Sequence, residues 1–216
     1  HTYVVTYPNA SGTGFDQVYV MFEVASVGPQ DYSGMWWAGQ AENGWGLSVD
    51  QHGGKQFVLL YVYDGNGKPV FYAMPGGNWN DAMTSFSGPL FLPTGTSFSN
   101  YDASKFSANA AVGSATITYT SNSTATLSYT INGISGTKQI TRELFSDGVN
   151  ISVSVGDMWW GGNEQNGWGM NISHQGSVLF PVWYTYDDAG RATWYTMPGG
   201  RWNGATYTGD LYYSTS

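Results

Sequence analysis

Residues 35–80 of this chain return, altered but recognisable, as residues 158–203. Met35-Trp36-Trp37, Asn43-Gly44-Trp45-Gly46 and Met74-Pro75-Gly76-Gly77-Asn78-Trp79-Asn80 recur as Met158-Trp159-Trp160, Asn166-Gly167-Trp168-Gly169 and Met197-Pro198-Gly199-Gly200-Arg201-Trp202-Asn203. From Trp36 and Trp159 to Asn80 and Asn203 the separation stays at 123 residues without a gap. Two copies that align so cleanly share a backbone plan, and in a chain of 216 residues they point to two similar units.

What the copies share is mostly Trp, Tyr, Gly and Asn. Aromatic residues make up 17 % of the chain and charged residues 10 %, so it can bury enough surface to fold. Thirty glycines among Ser, Thr and Asn, set between apolar runs, suit short strands and tight turns. The net charge of −8 and pI near 4.5 leave no basic patch for phosphates, which argues against nucleic acid. Seven scattered Lys and Arg also argue against anionic lipid. Apolar runs such as Phe57 to Tyr63 are far too short for a spanning helix, so no membrane insertion is expected. The polar surface chemistry and sparse Lys suggest a secreted or cell-surface protein whose signal has been removed.

In the first copy Gly46 to Asp50, Gln56 to Tyr63, Val70 to Met74 and Phe86 to Leu92 are β-prone runs bounded by Gly, Pro and Asn, which predicts strands. Asp64-Gly65-Asn66-Gly67 and its counterpart Asp187-Asp188-Ala189-Gly190 offer residues that accept positive φ and predict hairpin turns. Further on, Ser114 to Tyr119 and Thr126 to Ile131 alternate with period two, Asn132-Gly133 ends the second, and Thr137 to Leu144 supplies another strand. With Met35-Trp36-Trp37 counted first, residues 31–146 hold about eight strands, the spacing of an all-β fold. Tandem antiparallel meanders, with an up-and-down barrel in the first unit, are the expected architecture; a β-sandwich is the alternative.

The second unit, residues 152–216, stops soon after Tyr207 to Leu211, the counterpart of Phe86 to Leu90. An open sheet with raw edges and an uncovered apolar face calls for strands from elsewhere to complete it. Residues 1–30 carry two β-like runs, Thr2 to Tyr7 and Gln17 to Val24, and are the expected donor strands, in the same chain or in a neighbour. Both ends also fit cut points in a longer repeat array.

Neighbours on a strand point to opposite faces, so one Trp of each Trp-Trp pair is expected to point outward. Indole faces stack on sugar rings, and amides bond hydroxyls. The candidate ligand-facing residues are Trp36, Trp37, Asn43, Trp45, Tyr72 and Trp79, with Trp159, Trp160, Asn166, Trp168, Tyr195 and Trp202 in the second copy. In the competing reading the same aromatics fill and rim a barrel. Tyr61-Val62-Tyr63-Asp64 and Tyr184-Thr185-Tyr186-Asp187 each set two Tyr on one face before an Asp that caps its turn. Asp-Gly-Asn-Gly has a faint likeness to a calcium loop, without the closing Glu. Glu42, Asp50, Asp64 and Glu143 offer carboxylates for acid–base pairing, but only Asp64 has an identical counterpart. There is no Cys, and His1, His52 and His174 form no two-His helical motif. No catalytic residue and no resident cofactor are expected. His1 is a weak copper candidate: in that one residue the chain resembles the lytic polysaccharide monooxygenases, which would imply a copper-dependent oxidative enzyme.

Trp-Trp, Asn-Gly-Trp-Gly, Tyr-x-Tyr-Asp with a Gly turn, and Ser/Thr-Gly-x-Leu together resemble repeats of secreted bacterial tandem-repeat β proteins, over Gly34 to Phe145 and Gly156 to Tyr213. That resemblance brings no activity with it. The strand count is similar to avidin and lipocalin barrels in topology, with no biotin-site pattern. The first functional expectation is a non-catalytic module binding a polysaccharide or glycan. The second is an assembly protein, a fibre or filament subunit that self-associates by strand exchange at the open edge of the second unit.

Overall fold

A computed structural model describes residues 2–8, 11, 15–21, 29–146, 148–151 and 153–216. His1, and with it the copper candidate, lies outside the described residues. The chain divides into two compact units, residues 1–30 and 31–216. In the first, β1 (Thr2–Pro8) and β2 (Phe15–Met21) pair antiparallel from Thr2 opposite Met21 to Pro8 opposite Phe15. The second run therefore starts earlier than Gln17, and its expected end at Val24 falls outside the described residues.

In the larger unit the first copy forms a closed antiparallel barrel. Its strands are β3 (Gly34–Trp37), β4 (Gly46–His52), β5 (Lys55–Tyr63) and β6 (Pro69–Met74), then, after the short β7 (Asn78–Trp79), β8 (Ser85–Phe91), β9 (Ala111–Tyr119), β10 (Thr124–Ile131) and β11 (Ile134–Arg142). Apart from β7, which pairs only with β8, these eight strands follow one another around the wall in chain order. The wall closes where Thr141 and Arg142 face Trp37 and Trp36, and where Ala73 faces Phe91. This is the up-and-down barrel the alternation predicts, and closure removes its edges. Asn132 and Gly133 both take positive φ, the two-residue turn that Asn-Gly favours. Inside, Trp36, Leu47, Val49, Met74, Phe86, Ile117 and Ile140 form a fully buried core.

The second copy begins the same way. Strands β12 (Asp157–Trp159), β13 (Gly169–Gln175), β14 (Val178–Tyr186) and β15 (Ala192–Thr196) make an antiparallel sheet. After it β16 (Arg201–Asn203) pairs with β17 (Thr206–Thr208), repeating the pairing of Trp79 with Phe86 as Trp202 with Tyr207. The expected fifth strand through Leu211 is cut to this hairpin plus one bridge, Thr196 to Tyr212.

Sequence logic called for strands from elsewhere to cover the second unit. Among the described residues its sheet consists of its own four strands, and the outer wall of the barrel covers its apolar face. Leu59, Tyr61 and Phe71 on that wall form one core with Val182, Tyr184, Tyr186 and Trp194. Contacts at the ends of this interface are reciprocal: Gly95 N–H donates to Gly190 O at 3.2 Å, and Ser216 N–H donates to Gly67 O at 3.1 Å. Gly67 and Gly190 are equivalent in the repeat, as are Gly95 and Ser216 once a loop two residues shorter in the second copy is allowed for. The copies thus meet like the halves of an isologous dimer, residue i on j and j on i.

Candidate ligand clefts

Asn-Gly-Trp-Gly has the same local cause in both copies. Gly44 and Gly167 take φ of 111° and 105°, a region that favours glycine. A Cβ at Gly46 or Gly169 would lie 2.9 Å or 2.7 Å from the carbonyl of Trp36 or Trp159. The motif therefore lets the Trp-Trp strand approach closely, and the Trp between its glycines is held by the turn before it. Trp45 Nε1–H donates to Glu42 Oε2 at 3.3 Å, and Trp168 Nε1–H to Gln165 Oε1 at 3.2 Å.

These turns open onto two clefts related by the repeat. One, of about 250 Å³, is lined by Trp37, Asn43, Trp45, Tyr61 and Tyr63 of the first copy and by Phe180, Val182, Trp194, Thr196 and Ser214 of the second. The other, of about 430 Å³, is lined by the equivalents Trp160, Asn166, Trp168, Tyr184 and Tyr186, facing Phe57, Leu59, Phe71, Ala73 and Pro93. Each cleft joins the motif face of one copy to the strand wall of the other.

Seven of the twelve candidates named from sequence line these clefts, Trp36, Trp37, Asn43 and Trp45 the smaller and Trp160, Asn166 and Trp168 the larger. Of these, Trp36 has no exposed surface and its side chain fills the barrel, Nε1–H donating to Tyr32 O at 3.0 Å, so it is a core residue and not a ligand contact. The other candidates go elsewhere. Trp79 plugs the barrel beside Tyr32, Tyr119 and Phe86, and Tyr72 packs on the same core. Their counterparts differ because the described strands of the second copy form an open four-stranded sheet. Trp159 is 52 % exposed and Trp202 39 %, and Tyr195 lies between Trp183 and Tyr213. Sequence reasoning missed Phe180 and Trp194, and placed Glu143 among paired acids. The available signal was β5, whose two faces, Val58-Leu60-Val62 and Phe57-Leu59-Tyr61, are both apolar: a wall covered on each side.

The four carboxylates considered as acid–base partners are dispersed. Glu42 binds Lys138 at 2.5 Å. Asp64 accepts from Asn66 N–H and Lys68 N–H at 2.8 and 3.0 Å, capping its own turn as Asp187 does with Ala189 and Arg191. Glu143 lines the smaller cleft, where burial pushes its carboxyl up. Asp50 lies on a polar recess between the copies, of about 610 Å³, together with Asp31, His52, Arg142, Asp157 and His174. It is 6 % exposed, accepts from Asn171 Nδ2–H at 2.5 Å, and is pushed up to about 7 by burial and then by the charge of Asp157. Asp157 in turn meets His52 Nε2 at 2.9 Å and holds that imidazole above its ordinary range. Among the described residues no group of three or more His, Cys, Asp or Glu is placed to hold a metal.

Comparison of the chain with protein-family models, with curated proteins and with solved structures returned no match.

Proposed function

We propose that this chain is a secreted or cell-surface binding module without catalytic chemistry, and that the cleft at Trp37, Asn43 and Trp45 takes a saccharide. The observation that carries this reading is the company those residues keep. Around the aromatic surfaces of Trp37, Trp45, Tyr63 and Trp194 stand one amide, Asn43, one half-buried carboxyl, Glu143, and two hydroxyl residues, Thr196 and Ser214. A pyranose presents an apolar C–H face and a rim of hydroxyls. Aromatic rings suit the face, and a few convergent polar groups fix orientation.

The test is affinity electrophoresis of the whole chain through gels cast with a panel of neutral and acidic polysaccharides. At least one polysaccharide should retard it. Trp37→Ala, which removes a partly exposed ring, should weaken that retardation about tenfold or more, in keeping with the loss of a well-packed aromatic contact. Migration unchanged by every polysaccharide, or equal retardation of Trp37→Ala, would refute the proposal.

A further inference from the structure

The larger cleft shares its frame with the smaller but has lost the polar groups. Where the smaller has Thr196 and Ser214, the repeat places Ala73 and Pro93. Among the described residues no acid lines this cleft as Glu143 lines the other. The connection between β8 and β9 instead delivers Phe106, so close to Gly167 that a Cβ there would lie 2.4 Å from its ring. Two of the polar groups in its lining are engaged in the wall: Tyr186 Oη–H donates to Gly167 O at 2.7 Å and Trp168 Nε1–H to Gln165 Oε1 at 3.2 Å. Among the described residues no charged side chain lines the cleft, and Asn166, exposed, supplies the amide at its mouth.

We infer that this second cleft binds a neutral aryl compound of about naphthalene size carrying at most one polar substituent. Its volume of about 430 Å³ lies within the range of small-molecule sites. Water inside it finds few partners, so an apolar occupant displaces it at little cost. The choice of aryl over alkyl comes from the walls. Phe71 meets Tyr184 edge-on, with centroids 5.5 Å apart at 67°, and Trp160, 52 % exposed, forms a free lip on which a ring can stack. A ring hydroxyl then reaches Asn166. This inference stands independently of the saccharide reading, because it uses the other cleft.

The experiment is a fluorescence titration of the whole chain with the uncharged dye N-phenyl-1-naphthylamine. A saturable, blue-shifted enhancement at one site per chain is expected, displaced by 1-naphthol and at least tenfold less well by n-decanol. Trp160→Ala should weaken the dye about tenfold, and because the ring is half exposed the variant keeps its fold, which far-UV circular dichroism checks. Ala73→Glu, placing a carboxylate in the wall, should abolish binding. No saturable signal, a signal indifferent to both substitutions, or displacement by decanol as strong as by naphthol would overturn the inference.

Discussion

Trp36 and Trp159 hold the same place in the repeat and make the same local bond, each indole N–H donating at 3.0 Å to the carbonyl four residues earlier. Their surroundings differ, and stability should report it. Trp36→Ala is expected to cost about 3–5 kcal/mol, the range for emptying a buried aromatic site. Trp159→Ala should cost about 1 kcal/mol or less, as half the ring is already in water; urea denaturation of the two variants checks both. Asp50 allows a pH test. Its carboxyl titrates near 7 when folded and near 3.8 when unfolded, so the folded chain binds the extra proton between those values. Stability from this group is complete below about pH 4 and is lost as pH rises toward 7, on the order of 4 kcal/mol at most. Asp50→Asn should flatten that part of the stability profile and leave the variant the more stable at pH 7.5. An unchanged slope would show that Asp50 is not the group responsible. His52, raised by Asp157, also contributes stability that fades as pH rises above 6.5, but its side chain is 73 % exposed, so the contribution is small.

Strands and turns are largely legible in the sequence. Alternation placed β10 and β11 to within a few residues, and Asn132-Gly133 marked their turn. The connection from Leu92 to Ala110 was not legible, because it has neither period and its shape is set by what it touches. It carries two short 3-10 turns, Phe98–Asn100 and Ala103–Lys105, the second capped by the Asp102 carboxylate accepting from Ser104 N–H at 3.0 Å. Phe98 meets Trp168 and Trp183 edge-on, each at 4.9 Å, and Tyr101 Oη–H donates to Asn166 O at 3.0 Å. A loop of the first copy therefore covers part of the second copy's sheet at Trp168 and Trp183. Phe98 is 48 % exposed, so Phe98→Ala should cost only about 1–2 kcal/mol. The loss should appear as faster amide exchange in β13 and β14, with β9 to β11 unaffected; uniform acceleration would mean that the loop does not act on the second copy.

At the scale of the molecule, the two copies are joined by faces that a lone barrel would show to solvent. Trp194, 5 % exposed, sits 5.9 Å from Tyr61 and 5.6 Å from Tyr63, with its Nε1–H donating to Val62 O at 3.3 Å. Trp194→Ala is expected to cost about 3–5 kcal/mol and to split one cooperative unfolding transition into two, seen as non-coincident near- and far-UV signals. Retention of a single transition would place the coupling elsewhere. The sequence by itself determined the repeat, the all-β class and the turns, because those depend on the residues themselves and their near neighbours along the chain. It also singled out Trp37, Asn43, Trp45 and their counterparts, although not what they would face. Only the tertiary structure decided that one copy closes into a barrel, that its outer wall covers the other copy, and that Trp36 is core while Trp159 is not. Those outcomes rest on contacts between residues far apart along the chain, from Ala73 with Phe91 to Tyr61 with Trp194, and no local pattern encodes which apolar face will meet which.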